Sequence, residues 1–155
     1  MHNYEPKDYN CPFCRLARGE NDDINKQEYI VFEDKNTFAY VSPKWWVRNP
    51  GSVLVIPKKH TENLYDMPNE LLGDVYSTAK KVAIAIRESY PSEGTSTRQH
   101  NEPAGDQDVW HFHVHVFPRY EGDELYKNHD QREWVDHEKR KVFSDKLKNY
   151  FASKK

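Results

Sequence analysis

The chain of 155 residues has only two cysteines, no long apolar run and no excess of either charge. Each scarcity excludes something. Two cysteines cannot build a disulfide framework, so the chain must hold together through a packed core. A length near ~100–150 residues suits one domain, large enough to bury such a core without staples. No stretch approaches the ~20 apolar residues of a membrane span. The first ten residues, Met1–Asn10, are polar and carry no secretory core. A reducing, cytoplasmic compartment is the expectation. Lysine plus arginine total 23 against 25 acidic residues, a formal charge of −2. Nucleic-acid polymers call for a basic surface that neutralises phosphates, so none is expected as a partner. A pocket for a single nucleotide stays open. Hydrophobic residues are only 36% and charged residues 31%. The core must lean on the aromatics, which make up 14%.

There is no internal repeat and no low-complexity stretch. Glu28–Glu33 and Thr37–Val41 read as strands joined by the turn-forming Asp34-Lys35-Asn36. Ser42–Gly51 reads as a loop carrying Trp45 and Trp46. Ser52–Pro57 is a short β-branched run, expected as a buried strand. Leu71, Leu72, Val75, Ala79, Val82, Ala83 and Ile86 recur at helical spacing, which predicts a helix over Glu70–Tyr90. Pro68 suits its start and Pro91 its end. Thr95–Asn101 is a further strand candidate. Asn101–Asp108 reads as a loop and Val109–Pro118 as a strand. Asp130–Phe151 is charged with apolar residues at roughly helical spacing, expected as a peripheral helix or helix pair. Strands between two long helical segments predict an α+β fold with an antiparallel sheet.

What is abundant is histidine: eight in all, three of them within five residues. In Val109-Trp-His-Phe-His-Val-His-Val-Phe117 a strand would put His111, His113 and His115 on one face. Trp110, Phe112, Val114 and Val116 would share the other, the core face. Neighbouring histidines would sit ~6–7 Å apart and the outer two ~13 Å apart. A merely solvated face is a poor explanation for three histidines. Two at i and i+2 can share one zinc. Imidazoles so placed can also act as nucleophile and acid–base pair. Cys11-Pro-Phe-Cys14, read as a tight loop, offers half of a tetrahedral zinc site. Alternatively it is two small buried thiols, or a redox dithiol, although no βαβ pattern surrounds it.

The segment His111-Phe-His113-Val-His115-Val-Phe resembles the HxHxHxx signature of the histidine triad nucleotide hydrolases and transferases. Cys11–Cys14, Asn49-Pro-Gly-Ser-Val-Leu-Val-Ile-Pro-Lys-Lys-His60 and Asn101-Glu-Pro-Ala-Gly-Asp-Gln107-Asp-Val-Trp match that family in order and spacing. The likeness covers about residues 11–120. A single domain over 1–155 is expected, its core over about 11–120 and a C-terminal helical extension, outside the likeness, from about 121. The likeness implies His113 as the nucleophile that attacks an α-phosphate and forms a nucleotidyl-histidine. His115 would bind the phosphate or bridging oxygen and help the leaving group depart. Asn101 and Gln107 would position phosphate or ribose.

By resemblance to zinc-containing bacterial members, Cys11, Cys14, His60 and His111 would hold a structural zinc ion. Dinucleoside polyphosphates and nucleoside phosphoramidates are the implied substrates, and a homodimer using the Glu70–Tyr90 helix the implied assembly. Two positions depart from the family. Ser52 stands where many members carry a supporting histidine. Ser42 is the nearest match to an aspartate that takes the ribose hydroxyls. Trp45 and Trp46 are read either as base-stacking residues or as an aromatic core patch. Lys58, Lys59 and Arg119 are expected as solvated strand ends. His2, His129 and His137 are expected at the surface, His100 pointing away from the site, and Trp110 in the core. A nucleotide-binding regulator with weakened catalysis, and a zinc hydrolase using the triad as ligands, are the competing readings.

Overall fold

A computed structural model describes residues 2–128 and 130–154; His129 lies outside them. The chain opens with a short helix, α1 (Pro12–Ala17). A 3₁₀ turn, Gln27–Tyr29, leads into strand β1 (Ile30–Glu33). Asp34 closes the following turn, its Oδ1 accepting from the backbone N–H groups of Asn36 and Thr37 at 3.0 and 2.8 Å. Strand β2 (Thr37–Val41) then pairs back on β1. The segment expected as a loop contains a three-residue strand, β3 (Lys44–Trp46). Strand β4 (Val53–Pro57) follows. Helix α2 (Asn69–Ser89) starts after Pro68 and stops one residue before Tyr90-Pro91. Proline at 91 disfavours the helical conformation of the residue before it.

Strands β5 (Gly94–Gln99) and β6 (Val114–Arg119) complete a five-stranded sheet of order β1-β2-β4-β6-β5. Every neighbouring pair in it is antiparallel. Strand β7 (Arg132–Trp134) pairs with β3 in a separate two-stranded sheet. Helix α3 (His137–Ser153) ends the chain, capped by Asp136, whose carboxylate accepts from the Lys139 N–H at 2.8 Å. The fold is α+β, with β2 and β4 buried at every residue because both lie inside the sheet and are covered.

Along β6 the alternation is visible in the packing. Val114 and Val116 join the main core with Val75, Ala79 and Val82 of α2, while Phe117 packs in a second cluster with Trp46 and Leu125. The strand is shorter than expected, however. The ladder begins at Val114, and His111 and His113 precede it in irregular backbone. Trp110 is half-buried rather than core, its ring stacked 6.0 Å from that of Tyr4. The face assigned to the histidines is itself buried: His111, His113 and His115 are 0%, 3% and 7% exposed.

The C-terminal segment is more than a peripheral helix. Its first part is β7, and α3 is anchored by Arg140. That guanidinium is buried and makes no ion pair among the described residues. It donates to the Val41 carbonyl through Nε and Nη2 at 2.9 and 2.6 Å, and to the Ile24 carbonyl through Nη1 at 2.7 Å. It also lies 3.7 Å from the ring centroid of Tyr29, so carbonyl dipoles and a π-face hold its charge. Gly51, at φ +84°, meets Phe143 of α3, where a Cβ would fall 2.3 Å from Cδ1.

Candidate functional site

The metal-type cluster is built from three separate elements. Cys11 caps α1, its sulfur accepting from the Cys14 N–H at 3.5 Å, and Cys14 lies one turn further on. Cys–x–x–Cys is therefore a helix start rather than a loop. His60 sits three residues past β4, and His111 three residues before β6. Cys11 Sγ and Cys14 Sγ lie 3.3 and 3.6 Å from His111 Nδ1. Cys14 Sγ is 3.2 Å from His60 Nδ1, and the two Nδ1 atoms are 3.2 Å apart. All four ligand atoms fall within 4.8 Å of one another.

A tetrahedral zinc with bonds of about 2.0–2.3 Å sets its ligands about 3.3–3.8 Å apart. Four of the ligand pairs, at 3.2–3.6 Å, match that spacing, and the whole set stays within 4.8 Å, so the donor set suits such an ion. The opposite edges of the two imidazoles fit as well. His111 Nε2–H donates to the Pro57 carbonyl at 2.9 Å, and His60 Nε2 meets the Glu5 carboxylate at 2.6 Å. Both contacts aim Nδ1 at the common centre. Burial pushes the His111 imidazole down to about 3 and the Cys11 thiol up to about 12. The imidazole is thus already in the neutral form a metal takes, whereas the thiol must shed its proton on binding.

The other two histidines have different surroundings. His113 Nδ1–H donates to the His111 carbonyl at 2.8 Å, which leaves the lone pair of neutral His113 on Nε2. Phe13 stands edge-on to this ring at 5.3 Å, and the His115 ring lies 5.0 Å away. His115 is stacked parallel on Phe117 at 5.5 Å and is flanked edge-on by His100 at 5.5 Å. Burial holds both imidazoles below the usual histidine range, His115 well below it. His115 Nδ1 and the Ser52 hydroxyl are buried without a hydrogen-bond partner among the described residues.

A cavity of about 240 Å³ opens beside His115, walled by Trp46, His100, Gln107 and Arg132, with Asp106 and Asp108 at its rim. His113 is not among its lining residues, but its ring lies 5.0 Å from that of His115, which is. The expected ligand residues divide sharply here. Gln107 faces the cavity, but both its amide protons are taken, by the carbonyls of Glu62 and Val109 at 2.6 and 3.1 Å. Its Oε1 accepts from Glu102 N–H at 2.9 Å. It braces a loop in which Glu102 and Asp106 adopt positive φ.

Asn101 is likewise engaged, with Leu64 N–H at 2.8 Å and the Gln99 amide at 2.8 and 3.0 Å. The Ser42 hydroxyl donates to the Lys44 carbonyl at 2.9 Å and does not line the cavity. Arg119 is not a solvated strand end: it forks onto Asp123 at 2.7 and 2.8 Å. Both tryptophans are buried, Trp45 in the core against Phe143 and Trp46 at the cavity wall.

Two residues at these sites, Arg132 and Glu5, were not singled out by the chain alone, and one that was, His100, is placed differently. His100 lines the cavity instead of pointing away. Arg132 arrives from β7, inside the segment expected to be helical. Glu5 comes from the polar start of the chain. No local pattern marks Arg132 or Glu5, because only long-range pairing brings them in.

The sequence profile of the HIT domain matches residues 24–122. The chain belongs to the HIT family. Protein hit of Bacillus subtilis is 35% identical over 111 residues, 72% of each chain. The HIT fold extends past the matched residues. A HIT-like protein of Bartonella henselae, described as involved in cell-cycle regulation, superposes with a TM-score of 0.77 at 32% identity, over 92% of this chain and 97% of that one. A zinc-bound histidine triad protein of Mycobacterium smegmatis gives 0.73 at 28% identity, over 93% and 97%. A zinc-bound relative and the Cys11, Cys14, His60, His111 cluster together point this HIT chain toward zinc.

Proposed function

We propose that the protein is a nucleotide hydrolase or transferase that works at an α-phosphate through a nucleotidyl-histidine at His113. The observation that carries this reading is the His113 Nδ1–His111 carbonyl bond of 2.8 Å, which orients the ring and leaves Nε2 as the nucleophilic atom. Burial keeps the imidazole neutral, the form that attacks. In the first step the Nε2 lone pair forms a P–N bond as the bond to the bridging atom breaks, its electron pair leaving with the departing group. In the second, water forms a P–O bond, the P–N pair returns to His113, and the water's proton passes to the medium. His115, which has no partner at Nδ1, carries its proton on Nε2 and offers that N–H to the phosphate or bridging atom. An arriving phosphate dianion also raises the His115 affinity for a second proton, which suits it to assist the leaving group.

Zinc held by Cys11, Cys14, His60 and His111 would be structural, because four protein ligands leave it no open position. It would pin α1 and the start of β6 together and so set the place of His113. The cavity is smaller than the ~300–1,000 Å³ of pockets that take whole ligands, so it suits the phosphate end of a nucleotide. Dinucleoside polyphosphates or nucleoside phosphoramidates are the substrates proposed. The unpartnered Ser52 hydroxyl favours one rival, a nucleotide-binding regulator with weak catalysis, because it lends no support to the histidines.

Incubation with a labelled adenylyl substrate and rapid acid quench decides between them. A labelled protein that disappears in His113→Ala supports the enzyme, and its absence in the wild type sinks it. A homodimer built through α2 and the edge strand β5 is the proposed assembly, with light scattering as its check. A monomer mass at micromolar concentration would end that idea. Among the described residues no helix is long and apolar enough to cross a membrane, and a cytoplasmic site of action is proposed.

A further inference from the structure

Arg132 lies outside the residues that match the family profile, yet it stands in the catalytic cavity. Its route there is the small second sheet, where Trp46 of β3 and Arg132 of β7 are register partners. The guanidinium carbon lies 5.4 Å from the Trp46 ring centroid, and Nη1 is 3.2 Å from Asp108 Oδ2. The side chain is 31% exposed, so it is neither sealed in the core nor free in solvent. A guanidinium has five N–H donors in a planar fork, and among the described residues Asp108 is its one ion-pair partner. Arg98 also approaches Trp46, at 5.4 Å, but it packs against Phe117 and Tyr126 and does not line the cavity. Asp106, Asp108, His100 and His115 line the same cavity as Arg132.

Position along the chain gives Arg132 its role. His111 belongs to the metal cluster, His113 comes next, then His115, and the cavity opens beyond His115. The His113 and His115 rings lie 5.0 Å apart, so a leaving group turned from His113 Nε2 toward His115 would have the cavity that His115 shares with Arg132 to enter. We propose that Arg132 is a substrate-binding residue that takes the phosphate on the leaving side of a nucleoside polyphosphate, so that this protein selects polyphosphates over phosphoramidates. The proposal rests on the hydrolase reading given above. The chemistry is unchanged: the P–N bond to His113 forms, the P–O bond to the bridging oxygen breaks, and the leaving polyphosphate anion keeps the electron pair. The guanidinium meets the negative charge that appears there, for which its bidentate geometry is suited. An amine leaving group has no such phosphate, so Arg132 has nothing to hold.

The test compares diadenosine triphosphate with adenosine 5′-phosphoramidate in the wild type and in Arg132→Ala, Arg132→Lys, Arg132→Gln and Asp108→Asn. Arg132→Ala and Arg132→Gln should lower kcat/KM for the triphosphate by about 10- to 100-fold while changing the phosphoramidate less than about threefold. Arg132→Lys should recover part of the loss, since it restores the charge without the fork. Asp108→Asn, which removes the ion pair to β7 together with a negative charge at the cavity rim, should keep the triphosphate as the preferred substrate. Equal losses on both substrates, or the same pattern in Asp108→Asn, would reduce Arg132 to a strut for β7 and overturn the proposal. No loss in Arg132→Ala overturns it too. Wild-type turnover of neither substrate overturns the hydrolase reading itself, a result distinct from the other two.

Discussion

The two ends of the His111–His115 segment share a residue type and differ in everything else. At one end, His111 is fully buried, donates from Nε2 to a carbonyl and turns Nδ1 toward two sulfurs and another imidazole. At the other, His113 and His115 have no hydrogen bond to an acid or a thiol among the described residues; they touch aromatic rings and a carbonyl, and His115 lines a cavity. In His111 the backbone bond is made by Nε2 and in His113 by Nδ1, so the free lone pairs are on opposite sides of the ring. An imidazole has no fixed role; the atom that is tied down decides which atom does the chemistry. On the proposed function, the Cys–His end would serve geometry and the cavity end reactivity.

The strongest way to break this division is at His113. His113→Ala should lower turnover by at least about 10⁴-fold while bound zinc stays at one per chain, read by steady-state kinetics and metal analysis. Because the ring is buried rather than on an open face, some loss of melting temperature is expected too. If activity survives, the cavity end is not nucleophilic. The converse change is Cys14→Ala, which should release the metal and cost about 3 kcal/mol, or ~6–12 °C in a chain this long. Calorimetry and metal content check it together, and an unchanged melt with no zinc in carefully prepared wild type would remove the metal end from the account.

Glu5→Gln is a gentler probe of the same end. It loosens the contact that orients His60, so zinc affinity should fall by about 10- to 100-fold in a chelator competition, with kcat preserved. A pH series tests the cavity end. Burial disfavours the charged forms of His113 and His115, so both stay neutral below pH 6.5 and the acid limb of kcat/KM should lie under that value. Unfolded imidazoles take up protons from about pH 6.5 downward while the folded ones do not. Stability should therefore fall as pH drops through that window toward the lower folded values. A limb at or above 6.5 would mean that neither ring is desolvated in solution. The smallest effect belongs to Ser52→Ala. Its hydroxyl is buried without a partner, so its removal should be neutral or slightly stabilising. The rate should change less than about threefold; a larger loss would show that Ser52 holds His115 after all.

Much of the frame could be read along the chain because its signals are local. The stripe from Val75 to Ile86 places α2, Pro91 its end, and Asp34 the β1–β2 turn. Alternation correctly sent Phe112, Val114 and Val116 to the core. It failed for Trp110 and for the extent of β6, because alternation assumes a ladder and the chain leaves the ladder before Val114. The segment after residue 120 was the least legible. Its β7 strand is three residues long and forms only because β3 offers an edge, and Arg140 is held by carbonyls that lie about a hundred residues away.

By itself, then, the sequence determined the antiparallel α+β arrangement, the Cys11–Cys14 pair and the run of three histidines, while His60 and His111 joined the pair only through the family resemblance. Hydrophobic period, turn chemistry and ligand spacing are short-range properties, and residue order contains them. Tertiary structure alone decided which nitrogen each histidine leaves free, that Gln107 and Asn101 spend their amides on backbone and neighbours, and that Arg132 and Trp46 wall the cavity. Those outcomes depend on which carbonyl, carboxylate or ring arrives from a distant part of the chain, and only the packed sheet and the docked α3 bring such partners within hydrogen-bonding reach.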